Sequence, residues 1–147
     1  MLLHRTLADA GLSTYGAKDH YKRARPFVIN KKSICTPHEE EALRNDGSYP
    51  SGHTAIGWAW ALILTEISPE QSEAILLRGR EFGQSRIICN VHWQSDVNQG
   101  RLMGATAVAT LHSDPIFKAE LEAAKNEVLI LRANNIAPTN ECDVKAL

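Results

Sequence analysis

Two short stretches of the sequence carry residues that could bind an anion. In "KDHYKRARP", Lys18 and Arg25 are seven residues apart. On a helix that spacing is two turns, which would place both cations on one face and let them converge on one anion. In "PSGH", Ser51, Gly52 and His53 stand at the start of an apolar run. The unpaired N–H groups and positive dipole end of a helix start bind anions, and glycine lets a ligand approach closely.

A third stretch, "SRIICNVHWQSD", adds Arg86, His92 and Asp96. With a spacing of four, Asp96 could hold one ring N–H of His92 and leave the other nitrogen as a lone pair facing a substrate. Each stretch alone fits a simpler explanation: a solvated basic face, a helix cap or a structural His–Asp pair. Together they supply the cations, the nucleophile and the acid that phosphoryl transfer requires.

Metal ions are not expected at this site. The chain has no cluster of carboxylates of the kind that holds two metal ions in a phosphatase, so cations would take over the electrostatic role of a metal. We therefore expect neither a metal nor another cofactor. A mononuclear metal site made by His53, His92 and Asp96 is the alternative that these residue types leave open.

The elements that position these residues are predicted to be helices. Apolar residues recur at helical spacing, and no comparable stretch alternates with a period of two. The predicted fold is an all-α helical bundle in one domain over residues 1–132, with residues 133–147 as a peripheral tail. The predicted helices span residues 2–10, 56–67, 74–88, 97–111 and 116–131, with a short helix around 39–44 inside an irregular connection over 26–51.

Capping signals mark several helix starts. Ser51 could cap the helix that carries the "PSGH" stretch. Ser68 is followed by Pro69 at the first helical position and by a glutamine three residues on, which predicts a capping box. Asp114 before Pro115 repeats the cap and the proline.

The composition is that of an ordinary globular domain. The chain has 147 residues, of which 44% are hydrophobic and 22% charged, and its net charge is −1. These values exclude a disordered, fibrous or nucleic-acid-coating chain. No apolar run reaches the ~18 residues of a membrane span, so neither nucleic acid nor a membrane is an expected partner. Residues 1–32 carry an excess of Lys and Arg, which suits an anionic ligand or a solvated basic face.

The three stretches together form the pattern K-x6-RP, PSGH and SR-x5-H-x3-D. This pattern closely resembles the signature of the type 2 phosphatidic acid phosphatase and vanadium haloperoxidase superfamily. The surrounding sequences "GSYPSGHTAIGWA" and "GQSRIICNVHWQSDV" are similar to those of the bacterial class A non-specific acid phosphatases. The resemblance extends from about residue 2 to about residue 132. It implies a helical-bundle acid phosphatase that hydrolyses small phosphomonoesters of broad structure.

The resemblance also implies a role for each matched residue. His92 would attack phosphorus and form a phosphohistidine, Asp96 would orient His92, and His53 would protonate the leaving alkoxide. No metal would be needed. The phosphate oxygens would be held by five groups: the side chains of Lys18, Arg25 and Arg86, the Ser51 hydroxyl and the Gly52 N–H.

Members of this family carry a secretion signal and further helices ahead of the first motif. The resemblance therefore implies a periplasmic protein of which these 147 residues are one part. Apolar faces left without their cover would then favour a homo-oligomer or require the missing N-terminal segment. In the periplasm Cys35 and Cys89 could form a disulfide. The alternatives are a vanadate-dependent haloperoxidase, a lipid phosphatase, and a truncated, non-catalytic phosphate-binding module.

Overall fold

A computed structural model describes residues 2–136 of the chain. Over that range it consists of α-helices, two 3₁₀ turns and no strand, which confirms the predicted all-α bundle. None of these helices has the length and apolar character of a membrane span. The helices are α1 (Leu2–Leu12), α2 (Tyr15–Tyr21), α3 (Pro26–Asn30), α4 (Glu40–Asn45), α5 (Gly52–Ile67), α6 (Ser72–Ile88), α7 (Gln94–Leu111) and α8 (Pro115–Ala133), and the 3₁₀ turns are Pro37–Glu39 and Pro69–Gln71.

Helix α5 lies at the centre of the bundle and packs against α1, α6, α7 and α8. Its sequence, GHTAIGWAWALILTEI, is apolar on nearly every side, as expected for a helix surrounded by others. Its C-terminal half reaches into the main core, while its N-terminus carries the "PSGH" stretch. The core residues are Leu2, Ala10, Ala59, Ile63, Val108, Phe117 and Leu121.

Helices α5 and α7 cross so closely that glycine is required at the contact. A Cβ atom on Gly100 would lie 2.5 Å from the Ser51 carbonyl oxygen, and one on Gly104 would overlap the Ala55 carbonyl. Both contacts are with backbone atoms, so an alanine at either position would push the two helices apart. The backbone itself therefore sets the spacing between the helix that begins at "PSGH" and the helix that follows His92.

All five long helices predicted from the apolar periodicity are present. Four of them begin one to four residues earlier than predicted, because their first turns are polar and lie outside the apolar pattern. Asp114 caps α8 as predicted, since its Oδ1 accepts the Ile116 N–H at 2.8 Å. The predicted cap at Ser68 is wrong: its hydroxyl accepts from Arg132, and a 3₁₀ turn delays the start of α6 to Ser72.

Lys18 and Arg25 do not share a helix, so the predicted reason for their convergence is wrong. Helix α2 ends at Tyr21, and Lys22 adopts a left-handed conformation with φ of 41°. Arg25 is extended, with φ of −73° and ψ of 154°, because the following Pro26 disfavours helical backbone at the residue before it. Pro26 then begins α3, a short helix that the periodicity did not predict.

A disulfide joins Cys35 to Cys89 across 54 residues of sequence, the pairing that the resemblance implied. It links the segment after α3 to the C-terminal end of α6. A small apolar cluster of Phe27, Ile34 and Val91 lies at the same end of the molecule. The irregular connection is therefore anchored both covalently and by packing. The third cysteine, at position 142, lies outside the described residues.

An apolar groove of about 440 Å³ runs between α5 and α6. Ile56, Trp60 and Leu64 line it from α5, and Ile75 and Phe82 line it from α6. The groove leaves apolar surface on α5 and α6 open for contact.

Candidate active site

His92 and Asp96 form a buried pair at the start of α7. His92 is 2% exposed, and Asp96 is fully buried. Asp96 Oδ2 accepts the Trp93 backbone N–H at 2.8 Å and faces His92 Nδ1 at 3.4 Å. The carboxylate therefore caps the first turn of α7 and orients the imidazole ring at the same time.

Arg25 contacts the other ring nitrogen of His92 and thereby determines its tautomer. Arg25 Nη1 lies 3.1 Å from His92 Nε2 and donates to the Val91 carbonyl at 3.0 Å. Because a guanidinium can only donate, Nε2 must accept with its lone pair, and the ring proton stays on Nδ1, facing Asp96. The lone pair of Nε2 therefore lies on the cationic side of the ring, and Arg25 would have to release it before it could attack an anionic substrate.

Lys18 and Arg25 converge on the carboxylate of Asp46. Lys18 Nζ and Arg25 Nη2 each lie 2.8 Å from Asp46 Oδ2, and Lys18 also donates to the Gly47 carbonyl. The Lys18 and Arg25 residues are only 5% and 2% exposed, whereas the Asp46 side chain is 41% exposed. One oxygen atom thus already bridges both cations, so their arrangement suits an oxyanion.

The N-terminus of α5 is tied to the His–Asp pair through the backbone. The Ser51 N–H donates to the Asp96 carbonyl at 3.0 Å. Ser51 caps the helix as predicted, and its Oγ accepts both the Thr54 N–H at 3.3 Å and the Thr54 hydroxyl at 2.9 Å. With two donors on its oxygen, the Ser51 hydroxyl keeps its own proton for a third partner. The N–H of Gly52 has no partner within the helix, because Gly52 is the first helical residue.

Arg86 reaches the site from the last turn of α6. Its carbonyl accepts the N–H groups of Val91 and His92 at 3.2 Å, which joins α6 to the turn that carries the histidine. Among the buried side-chain polar atoms of residues 2–136, Arg86 Nε is the one without a hydrogen-bond partner. A buried donor without a partner is costly unless a ligand accepts from it, so this atom indicates an anion site.

The pKa of His92 keeps its ring neutral in mildly acidic solution. Its pKa is lowered to about 4, and burial is the largest cause. The charges of Arg25 and Lys18 also lower it, while the hydrogen bond and the charge of Asp96 raise it. The pKa of Asp96 is itself below its usual value: burial raises it, but the bonds from His92 and the Trp93 N–H and the charge of Arg23 outweigh burial. The pair is therefore a neutral imidazole on an ionised carboxylate.

His53 lies in the first turn of α5 with its side chain accessible to solvent. Loss of water around the ring still lowers the pKa of His53, and the nearby charge of Arg86 lowers it further. The carboxylate of Glu39, at the end of the first 3₁₀ turn, raises it. An anion bound beside Arg86 would offset its charge and raise the pKa of His53.

The structure thus brings the residues of all three sequence stretches into one region, although they come from α2, α5, α6, α7 and an irregular segment. Within residues 2–136, no three His, Cys, Asp or Glu side chains come together as metal ligands would, which gives the alternative mononuclear site no geometric support there. Whether the chemistry runs without metal stays a prediction. The candidate site comprises Lys18, Arg25, Ser51, Gly52, His53, Arg86, His92 and Asp96.

Two charged residues at the site were not predicted, Asp46 and Arg23. Arg23 Nη1 donates to Asp96 Oδ1 at 2.7 Å. Its sequence signal is the spacing from Arg25: where the backbone is extended, as Pro26 favours at Arg25, side chains two residues apart project to the same side. Asp46 has no comparable signal, because its position depends on the path of the irregular connection.

A family profile for the PAP2 superfamily matches residues 1–117. The chain belongs to the PAP2 superfamily. The matched range includes all three sequence stretches and every residue of the candidate site, so the resemblance predicted from them is confirmed. Within this PAP2 chain, most of α8 and the residues after it lie outside the match.

Curated relatives of this PAP2 chain carry phosphatase names. A non-specific acid phosphatase of Providencia stuartii is 52% identical over 132 residues, which are 89% of this chain and 53% of the relative. The non-specific acid phosphatase of Salmonella typhimurium is 49% identical over 116 residues, 79% of this chain and 46% of the relative. An acid phosphatase of Zymomonas mobilis is 46% identical over 122 residues, 83% and 46% respectively. The chain therefore spans about half the length of these relatives.

Proposed function

We propose that this chain belongs to an acid phosphatase that hydrolyses small phosphomonoesters of broad structure through a phosphohistidine intermediate. The observation that carries the proposal is the His92 ring, which is buried and neutral in mild acid. Its Nε2 lone pair faces Arg25, and its Nδ1 proton faces Asp96. The names of the relatives support the same class of reaction.

The first chemical step would transfer the phosphoryl group to His92. Nε2 attacks phosphorus, and a P–N bond forms while the P–O bond to the alcohol breaks. His53 donates its proton to the leaving alkoxide, which departs as the alcohol. The phosphate oxygens would be held by the groups that the sequence predicts: Lys18, Arg25, Arg86, the Ser51 hydroxyl and the Gly52 N–H.

The second step would return the enzyme to its starting state. A water molecule attacks the phosphohistidine, the P–N bond breaks, and His53, now neutral, takes the proton from that water. Inorganic phosphate leaves, and His92 recovers its Nε2 lone pair. In both steps the cations offset charge that develops on the phosphate oxygens, the part that a metal plays in other phosphatases.

An acidic pH optimum follows from the different protonation states that the two histidines require. His92 must be neutral to attack, and its low pKa keeps it neutral down to about pH 4. His53 must be protonated to act as an acid, although its pKa in the free protein is lowered. A bound phosphate dianion raises the pKa of His53, so the substrate itself helps to supply the proton donor.

The location and assembly of the whole protein are part of the proposal. A periplasmic location follows from the family resemblance and is supported by the Cys35–Cys89 disulfide, a bond typical of oxidising compartments. Self-association, or a requirement for a further N-terminal segment, is expected where the groove between α5 and α6 is uncovered. Sedimentation of the 147-residue chain checks this expectation, and a fully active monomer would contradict it.

The function is tested by phosphate release from p-nitrophenyl phosphate and from glycerol phosphate. We expect activity that is highest in acid, survives EDTA and is inhibited by vanadate, which can adopt the five-coordinate geometry of the transition state on His92. His92→Ala should lower activity by several orders of magnitude for both esters and abolish trapping of radiolabelled phosphate on the protein. His4→Ala on the exposed face of α1 is the matched control and should behave as wild type.

Three results would contradict parts of this proposal. Activity that EDTA abolishes and zinc restores would contradict the metal-free chemistry. Label still trapped in His92→Ala would show that another residue is the nucleophile. No phosphate release by the wild-type chain, together with phosphate binding, would favour the non-catalytic binding module instead.

A further inference from the structure

Arg23 holds the side of the Asp96 carboxylate that His92 does not contact. Arg23 Nη1 donates to Asp96 Oδ1 at 2.7 Å and to the Ser95 hydroxyl at 2.6 Å. The other carboxylate oxygen, Oδ2, is the one that faces His92 and accepts the Trp93 N–H. The two oxygens of this buried carboxylate therefore have separate partners, and Arg23 is the cation among them.

Arg23 is itself held in place, although its side chain is 39% exposed. Its guanidinium carbon lies 5.6 Å from the Trp93 ring centroid and 6.0 Å from that of Tyr49. The Arg23 carbonyl accepts the Ser48 N–H at 2.9 Å, and Trp93 Nε1 donates to the Ala24 carbonyl at 2.9 Å. Such contacts distinguish Arg23 from a mobile surface ion pair, which contributes little.

Arg23 and Arg25 contact opposite members of the His–Asp pair. Arg25 contacts His92 Nε2, the atom that would react, whereas Arg23 contacts Asp96 Oδ1, on the far side of the carboxylate. Without Arg23, Oδ1 would lose its ion pair, and the carboxylate would be held through Oδ2 alone, by the Trp93 N–H and His92 Nδ1. The orientation of the ring would then be fixed less tightly.

We propose that Arg23 is a positioning residue for the nucleophile: it fixes Asp96 so that Oδ2 aims at His92 Nδ1 and the Nε2 lone pair aims at phosphorus. The proposal rests on the proposed phosphatase function of His92. It adds a residue that contacts Asp96 and Ser95 and not the reacting nitrogen. Its effect should therefore fall on the rate of the chemical step more than on substrate binding.

The charge of Arg23 and its hydrogen-bond geometry make separate contributions to the His92–Asp96 pair, and these can be measured separately. The groups that face the pair are Arg23, Arg25 and Lys18, besides the Trp93 N–H. Removing the charge of Arg23 raises the pKa of Asp96, and it leaves the carboxylate less shielded, which raises the pKa of His92. Both changes move the acid limb of the pH profile to higher pH.

The test compares Arg23→Gln and Arg23→Lys with Arg44→Gln. Arg44 also pairs with a carboxylate and stacks over an aromatic ring, but it lies on α4 and makes no contact with His92 or Asp96. Arg23→Gln should lower kcat about 10- to 100-fold, by analogy with residues that orient metal ligands through a hydrogen bond. KM should change little, and the acid limb should move to higher pH. Arg23→Lys should restore the acid limb, but recover only part of kcat because it lacks the planar fork.

The outcomes separate this inference from the proposed function. If wild type is active and both Arg23 variants match Arg44→Gln in kcat and pH profile, Arg23 does not position the nucleophile. If the Arg23 variants lose activity only in proportion to lost folded protein, measured by near-UV circular dichroism, the role is structural and the inference is wrong. If wild type itself releases no phosphate, it is the proposed function that fails. Arg23→Lys keeps the ion pair with Asp96, so it carries the test should Arg23→Gln not fold.

Discussion

The basic residues of the site fall into two groups that differ in how their charge is balanced. The tied group, Lys18 and Arg25, is buried and already bridged by the Asp46 carboxylate. The open group, Arg86 and His53, has one buried nitrogen without a partner and one ring accessible to solvent. Only the tied group has a carboxylate in direct contact, whereas Glu39 acts on Arg86 and His53 through its charge alone.

The difference indicates when each group obtains its anion. The tied group is completed by folding, because Asp46 and three backbone carbonyls accept from Arg25 before any ligand arrives. The open group obtains its anion only when a ligand binds. Substitutions in the tied group should therefore affect stability and activity together, whereas those in the open group should affect activity alone.

The largest expected effect is on the open group. His53→Ala removes the proton donor, which contributes ~10²–10⁴-fold when the leaving alkoxide is basic. Hydrolysis of glycerol phosphate should fall by that range, while p-nitrophenyl phosphate, whose leaving group departs unaided, should keep much of its rate. The measurement is kcat/KM for the two esters side by side. Equal losses for both would contradict the assignment of His53 as the acid.

The next effect concerns the link between the two groups. The Cys35–Cys89 disulfide ties the connection that carries Asp46 to the end of α6 that carries Arg86. Replacing both cysteines by serine should lower the free energy of unfolding by about 4 kcal/mol, the chain-entropy value for a loop of this length. Urea denaturation measures this loss, with the single variant Cys142→Ser as the control. A change below about 1 kcal/mol would show that packing alone holds the two groups together.

A smaller effect separates the groups by stability. Arg25→Gln should lower the free energy of unfolding by about 3 kcal/mol, because buried carbonyls lose their donor. Arg86→Gln, which loses no hydrogen bond at Nε, should change it by less than about 1 kcal/mol. Both should reduce kcat/KM. Equal losses in the free energy of unfolding for the two variants would contradict the distinction between the tied and the open group.

The smallest effect is a change in the pKa of His53 without any substitution. In the free protein the surrounding cations lower this pKa, after the larger effect of lost water. Inorganic phosphate should raise it, which an NMR titration of the imidazole C–H signals can follow, with His4 as the internal control. A pKa of His53 that stays the same at saturating phosphate would mean that the anion binds away from the open group.

Much of the site was predictable, because its chemistry lies in short local motifs. The spacing of His92 and Asp96 within one turn fixes their pairing almost regardless of the rest of the fold. Lys18 and Arg25 were correctly expected to converge, but for the wrong reason, since the helix that their spacing suggested ends at Tyr21. Asp46 was unpredictable because it reaches both cations through an irregular connection, whose path no periodicity describes.

The same limit applies to the fold. The apolar pattern located the long helices but not their first turns. Residues in those turns are mostly polar, because they cap the helix or belong to the candidate site. It also missed α2 and α3, which are too short for a period to be visible. The failed cap at Ser68 has a further cause: Pro69 starts a 3₁₀ turn, so α6 begins only at Ser72 and no side-chain cap forms there.

The crossing of α5 and α7 has a consequence for how far this sequence could change. Because Gly100 and Gly104 let backbone meet backbone, the distance from Ser51 to Asp96 does not depend on how neighbouring side chains fill the core. A lineage could exchange most of its core and surface residues, one at a time, and still inherit the same reacting geometry. The two glycines, Gly100 and Gly104, are the positions that such a lineage would have to keep, because even the methyl group of an alanine would not fit there.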